Sequence, residues 1–330
     1  DTVIYSEYDK PNWHSSQLSN NVIWADLEDF NGSVKIAYIK LIDNSLTLWF
    51  DQELVGSITG NSNQFYKCVL LNWNGNPCIF IKKQGTEILF YYKTGNTWNY
   101  KTLSSYDSLY LKAKIINEVP ACVYLHNIGA QLNYRYSVLN STSMEFEHYD
   151  LPINATDVSE ADISFINNPV MVYVKSGIEV IYANLINGSW NSEVAFEKSA
   201  HYPIEKISIA RIGLRPTIVF SSGILGSNFK DIYYARHNGT RWVQEIVDVD
   251  ITAVRSSDIY PQICEFNLEA AIAVINSPVK TYFTDIDYES TSYVQPIFYC
   301  ECASQIFAPD NILPLNSIPK WISSASGTGD

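Results

Sequence analysis

The sequence predicts an all-β fold of short antiparallel strands, on three observations. The apolar runs are short, with the longest at six to eight residues, such as Pro169 to Val174. That length suits a strand buried on both faces, whereas a membrane-spanning helix needs roughly 20 apolar residues. No 3.6-residue hydrophobic period competes with the strand pattern. Finally, one pattern of apolar run, aromatic run, tight turn and tryptophan recurs along most of the 330 residues.

The repeats follow in chain order. Val34-Lys-Ile-Ala-Tyr38 with Leu46-Thr-Leu-Trp49 fits the frame. Pro77-Cys-Ile-Phe-Ile81 is followed by Glu87-Ile-Leu-Phe90 and Gly95-Asn-Thr-Trp98, and Pro120-Ala-Cys-Val-Tyr124 by Leu132-Asn-Tyr134. Pro169-Val-Met-Val-Tyr-Val174 leads to Glu179-Val-Ile-Tyr-Ala183, Asn187-Gly-Ser-Trp190 and Glu193-Val194. Pro216-Thr-Ile-Val-Phe220 leads to Asp231-Ile-Tyr-Tyr-Ala235, Asn238-Gly-Thr-Arg-Trp242 and Glu245-Ile-Val247. Ala270-Ala-Ile-Ala-Val274 with Thr281-Tyr-Phe283 closes the series. Each unit offers four strands. The first apolar run is buried on both faces, the next is aromatic and β-branched, Asn-Gly or Thr-Gly marks a turn, and a Trp opens the fourth strand.

Successive anchors lie 43 to 54 residues apart. A period of about 47 residues falls in the range of one propeller blade. The prediction is therefore a β-propeller of four-stranded antiparallel blades. Six anchors cover the chain from about residue 21 to 299. Val3-Ile-Tyr5 with Trp13, and Cys300 to Ser317, would supply the strands of a seventh blade, closing the sheet edges with both termini. Seven blades are expected, with six as the alternative. Residues 1–322 form one domain in this reading, because the period crosses the midpoint without a linker. Residues 323–330 form a flexible Ser/Gly-rich tail.

The string from Asn168 to Asp248 resembles a repeat of secreted bacterial and archaeal proteins, whose idealised form is Pro-x-Ile-x-Tyr, Leu-x-Tyr-Ala, Asn-Gly-x-x-Trp, Glu-x-Val. The match is clear over about residues 77 to 250. The resemblance implies a β-propeller outside the cell or on its surface, with no shared activity and no shared catalytic residues. Propeller sialidases are a more distant likeness. Thr94-Gly95-Asn96-Thr97-Trp98 keeps half of their Asp-box turn, His237 stands where Asp would be, and most of the arginines crowd into two adjacent repeats.

Composition narrows the partners. With 46% apolar and 14% aromatic residues the chain can build a core, so a disordered chain is excluded. The formal charge of −13 argues against nucleic acid or an anionic membrane, both of which need clustered Lys and Arg. No Gly-x-Ser-x-Gly, phosphate loop or His-Glu-x-x-His appears, and the five histidines have no metal spacing. A glycan-active hydrolase would need a carboxylate pair with perturbed pKa values, which spacing does not single out. Asp285, Asp287 and Glu289 alternate along one strand and would suit Ca2+, or would make a solvated strand face. No other cofactor is expected.

Trp98, Trp190 and Trp242 recur at one repeat position, as packing residues between blades do. The non-repeating Trp13, Trp24, Trp73 and Trp321 are the candidates for stacking on sugar rings, because the fold does not require them. Cys68 and Cys78 flank the hairpin signal Asn74-Gly75 and would form a disulfide if they faced each other; the alternative is buried thiols. Sequons at Asn31, Asn140, Asn154, Asn187 and Asn238 are consistent with an extracellular glycoprotein. The expected function is non-enzymatic binding or adhesion at a cell or virion surface, toward a glycan or a surface protein. A structural subunit and a glycan-active hydrolase are the alternatives.

Overall fold

The structure, a computed structural model, describes residues 2–9, 12–43, 45–58, 66–83, 87–104, 111–128, 131–151, 158–224, 230–247, 259–266, 269–276, 280–286, 293–301 and 305–307. All their regular structure is β, and every paired strand is antiparallel to its neighbour in sequence.

Thr2–Asp9 and Asn12–Asn20 form a separate hairpin. Sheet 1 comprises Val22–Phe30, Ser33–Ile42, Ser45–Phe50 and Glu53–Ile58. Sheet 2 comprises Tyr66–Trp73, Asn76–Lys83, Ile88–Thr94 and Thr97–Ser104. Sheet 3 holds Leu111–Ile116, Val119–Ile128, Gln131–Leu139 and Phe146–Asp150. Sheet 4 holds Val158–Phe165, Pro169–Lys175, Glu179–Ile186 and Ser189–Glu197. Sheet 5 holds Ile204–Ile212, Arg215–Gly223, Lys230–His237 and Trp242–Val247. Sheet 6 holds Ile259–Phe266, Glu269–Asn276, Lys280–Ile286 and Tyr293–Glu301, with Gln305–Phe307 added as a fifth strand. The last strand thus pairs with sheet 6, and the N-terminal hairpin pairs with no described C-terminal strand. The terminal closure expected of a seventh blade is not formed among the described residues; residues 308–330 lie outside them. Two compact units divide the chain between Asp150 and Leu151.

The second strands explain why the sheets stack. Cys78, Ile79, Phe80 and Ile81 are all fully buried. Because side chains alternate across a strand, Ile79 and Ile81 enter a core with Trp24, Ile39, Leu48 and Leu70 of sheets 1 and 2. Cys78 and Phe80 enter a second core with Phe90, Cys122, Tyr124 and Leu139 of sheets 2 and 3. In the second unit, Val172 and Val174 pack on Ile207, Ile209, Ile218 and Phe220. Full burial of one such side chain contributes about 1.5–3 kcal/mol.

The hairpin turns select their residues by backbone angle. Asn31 and Gly32 take φ 56° and 90°, Asn187 and Gly188 take 50° and 77°, the left-handed pair that a two-residue turn demands. Asn117 and Glu118 hold the same conformation at 49° and 66°, where a Glu is strained and a Gly is not.

The register also corrects the cysteine expectation. Asn76 pairs with Trp73, so Cys78 lies opposite Leu71 and Cys68 opposite Ile81. Cys68 and Cys78 therefore face opposite sides of sheet 2 and enter different cores. Both are buried free thiols, and burial pushes both up from the usual thiol range.

Candidate ligand-binding seams

Two seams between neighbouring sheets share one plan, and both begin at the first strand of each sheet. In the first unit, Asp26 of sheet 1 is buried and accepts the Leu70 amide of sheet 2 at 2.8 Å. Trp24 donates its indole N–H to the Cys68 carbonyl at 3.1 Å, and Asn72 donates to the Asp29 carbonyl at 2.9 Å. In the second unit, Asp162 of sheet 4 is fully buried and accepts the Ile209 amide and the Ser208 hydroxyl of sheet 5, both at 3.0 Å. Asp26 and Asp162 stand at the same repeat position, opposite Ala37 and Val172, each three residues after the anchor of its repeat. These bonds satisfy carboxylates that could not otherwise be buried.

The third and fourth strands carry half-buried polar and aromatic groups. Trp98 of sheet 2 is half-buried and donates its indole N–H to Glu53 Oε1 of sheet 1 at 3.1 Å. Lys93, the cross-strand partner of Trp98, reaches Glu53 Oε2 at 2.5 Å and stands 5.7 Å from the indole centroid. Phe50 meets the Trp98 ring edge-on at 5.8 Å. In the second unit, Trp242 of sheet 5 donates to Glu193 Oε1 of sheet 4 at 2.9 Å. Tyr182 of sheet 4 lies 5.3 Å from its ring, and His237, its cross-strand partner, lies 5.4 Å away. Burial, then the Glu193 charge, holds the Tyr182 phenol up at about 12, so it stays a hydroxyl donor. Each seam thus sets an aromatic face beside a carboxylate and a nitrogen base or cation. That set matches a sugar, whose C–H face is apolar and whose hydroxyls both donate and accept.

The turns build this arrangement. Gly95 takes φ 58° just before Thr97-Trp98, and Gly239 takes φ 105° three residues before Trp242. Each turn sends a Trp onto the first residues of the fourth strand, as the repeat predicts.

The tryptophans singled out from the sequence behave differently. Trp24 is only 8% exposed, belongs to the core of sheets 1 and 2, and spends its N–H on Cys68. It is a packing residue, and the stacking role expected for it is corrected. Trp73 is half-buried against the core of sheets 2 and 3. Trp13 stands on the N-terminal hairpin opposite Tyr8; its side chain, and all of Trp321, lie outside the described residues. Asp285 stands on Lys280–Ile286 opposite Ala271, with its side chain outside the described part, as are Asp287 and Glu289 entirely. Among the described residues no group of three His, Cys, Asp or Glu is arranged to hold a metal. Asn31, Asn187 and Asn238 are exposed, Asn140 is half-buried, and Asn154 lies outside the described residues.

Glu53, Lys93 and Tyr182 are not singled out by the sequence, and Glu193 and His237 stand out there only as repeat and turn positions, without a binding role. A signal existed: Glu53 precedes Trp98, and Glu193 precedes Trp242, by about one repeat period. Glu28 was also missed. It sits on the first strand of sheet 1, where burial, then the Asp26 and Asp29 charges, raises its carboxyl to about 7. Ser137 Oγ lies 2.7 Å from His148 Nδ1, but it is fully buried and shared with the Tyr124 hydroxyl, so it is no accessible nucleophile.

No protein-family model matches the sequence, and no curated protein matches it. Solved structures do. A mutant of the Aleuria aurantia lectin in complex with α-methyl-L-fucoside is similar at a TM-score of 0.52 and 12% identity, over 84% of this chain and 96% of that chain. The same lectin, described as a six-bladed β-propeller, is similar at 0.51. AofleA from Arthrobotrys oligospora is similar at 0.50 and 12% identity, over 93% and 94% of the two chains. A post-proline cleaving enzyme from Rickettsia typhi is similar at 0.51 and 11% identity, with 47% of its length covered. At such identities the likeness carries the fold, a β-propeller of four-stranded antiparallel sheets, and lectin and enzyme alike share it.

Proposed function

We propose that this chain is a carbohydrate-binding propeller that takes sugar units at the outer seams between adjacent blades. The observation that carries the reading is the repeated seam: Trp98 with Glu53 and Lys93, and Trp242 with Glu193, Tyr182 and His237. A sugar would stack on the indole and take hydroxyl contacts from the carboxylate and the nitrogen group. The Aleuria lectin structures hold α-methyl-L-fucoside and Fucα1-6GlcNAc, which makes fucosylated glycans the first ligands to try. Six complete sheets, together with six-bladed structures of like fold, favour six blades over the seven expected from the termini. Two or more seams on one scaffold would gain avidity toward clustered glycans. We place the protein outside the cell or on a cell or virion surface, where its exposed sequons at Asn31 and Asn187 would accept sugars of their own. Glycan binding with and without Ca2+ tests both the reading and the Asp285, Asp287, Glu289 cation expectation. Specific binding that Trp98→Ala and Trp242→Ala remove supports the seams; a folded chain that binds no glycan rejects them.

One observation favours a second reading, a glycan-active hydrolase. Glu28, with its carboxyl raised to about 7 beside Asp26 and Asp29, has the character of a general acid paired with an ionised carboxylate. Release of new reducing ends from a bound glycan, lost in Glu28→Gln, would establish turnover; intact glycan after long incubation would exclude it.

A further inference from the structure

The turn that presents Trp242 carries a chemical arrangement that ligand binding does not explain. His237 and Trp242 pair across the strands, and Asn238-Gly239-Thr240-Arg241 connects them. The Asn238 side-chain carbonyl accepts three bonds: from the Thr240 amide at 3.0 Å, the Thr240 hydroxyl at 2.9 Å and the Arg241 amide at 3.0 Å. The next amide, Gly239 N–H, donates to His237 Nδ1 at 3.2 Å. That bond fixes the tautomer, since Nδ1 must accept. An imidazole lone pair thus faces the one proton whose loss makes Gly239 N a nucleophile. Three donors polarise the Asn238 side-chain carbonyl, with which that nitrogen would close a five-membered ring. Base and oxyanion donors are the two devices that speed acyl transfer in enzymes.

We infer that Asn238 is a self-modifying site that deamidates through a cyclic imide. Gly239 N bonds to Asn238 Cγ while its proton passes to His237 Nδ1. The negative charge gathered on Oδ1 is held by Thr240 and Arg241. The Cγ–Nδ2 bond then breaks, and the proton held on His237 leaves with the nitrogen as ammonia. Water opens the resulting succinimide at either carbonyl, giving aspartate or isoaspartate at position 238. Glycine at 239 matters because no side chain shields the attacking nitrogen.

The other Asn-Gly turns lack the arrangement. Gly32 N–H donates to Asp29 Oδ1 at 2.7 Å and Gly75 N–H to Asn72 Oδ1 at 2.8 Å. A carboxylate is a much weaker base than an imidazole, and an amide oxygen is no base at all at neutral pH. Asn31, Asn74 and Asn187 also hold left-handed φ values of 56°, 51° and 50° in the tight turn. The reaction is independent of any sugar in the seam. Its product places a new negative charge on the turn beside Trp242 and Glu193, and the isoaspartate form lengthens that turn.

The test is peptide mapping of the full chain, made in a host without N-glycosylation, after timed incubation at neutral pH. Asn238 is expected to gain the mass of an amide-to-acid exchange, with isoaspartate present, before Asn31, Asn74 or Asn187. His237→Gln, which keeps an acceptor but no base, is expected to slow the conversion at least about 10-fold, within the reach of a positioned general base. His237→Ala is the second variant, read by the same map and by its thermal melt. Conversion at Asn238 no faster than at the other three turns would overturn the inference. So would an unchanged rate in both folded His237 variants.

Discussion

The seam of sheets 1 and 2 and the seam of sheets 4 and 5 carry the same skeleton with different fittings. Each has a buried Asp on the first strand of a sheet, Asp26 or Asp162, bonded to the backbone of the next sheet. Each has an outer Trp whose indole N–H crosses to a Glu of the preceding sheet. The cross-strand partner of that Trp differs, Lys93 in one and His237 in the other. Further in, Glu28 of the first seam corresponds to Ser164 of the second. The repeat therefore fixes the positions that hold neighbouring sheets together, and it leaves their cross-strand neighbours free to set the chemistry.

The largest expected effect is on the shared skeleton. Asp162→Ala removes a buried carboxylate together with the bonds it accepts from the Ile209 amide and the Ser208 hydroxyl, so unfolding free energy should fall by about 3 kcal/mol. Asp26→Ala should behave alike in the first seam. Urea midpoints measure both, and a loss under about 1 kcal/mol in either would break the equivalence of the seams.

The next effect concerns binding. Trp98→Ala and Trp242→Ala should each remove the sites of one seam, weakening the local affinity by about 30-fold or more, the loss expected of an aromatic anchor. Calorimetric stoichiometry should drop in each single variant and further in the double variant.

A pH effect separates the seams. Glu28 titrates near 7 in the folded chain, above its ordinary value of 4.5. The folded state therefore binds more protons than the unfolded state between those values, and stability falls as pH rises from about 4.5 to 7, by on the order of 2 kcal/mol. Glu28→Gln should flatten that slope, while Ser164→Ala should leave it unchanged. A wild-type chain equally stable at both ends of the window would contradict the assignment.

The smallest effect tests how exposed the outer link is. Glu193→Gln keeps an acceptor for Trp242 on an exposed side chain, so stability should change by less than about 0.5 kcal/mol, while sugar affinity falls several-fold. Outside both seams, Glu118→Gly should raise stability by about 0.5–1 kcal/mol by relieving the left-handed φ of 66°.

Much of the fold is legible in the sequence because strand burial leaves a local trace. Ile79 and Phe80 read as buried on both sides, and Trp98, Trp190 and Trp242 stand at the start of the fourth strands of sheets 2, 4 and 5, where the repeat puts them. The cysteine faces follow from the turn. Once Asn74-Gly75 is the turn, Trp73 faces Asn76, and counting outward sets Cys68 opposite Ile81 rather than Cys78. Trp24 misled for another reason: a Trp outside the repeat position was free to be functional, yet the Cys68 carbonyl of the next sheet captures it. The link from Glu53 to Trp98 spans one period and was visible in principle. The raised carboxyl of Glu28 was not, since it depends on burial and on two neighbouring charges in three dimensions.

The most direct measurement is a glycan array probed in parallel with the wild-type chain and the Trp98→Ala/Trp242→Ala double variant, each shown to be folded by its thermal melt. The seam account predicts a defined set of glycans bound by the wild-type chain and lost or strongly weakened in the double variant. A wild-type chain that binds nothing, or a double variant that binds the same glycans equally well, would contradict it.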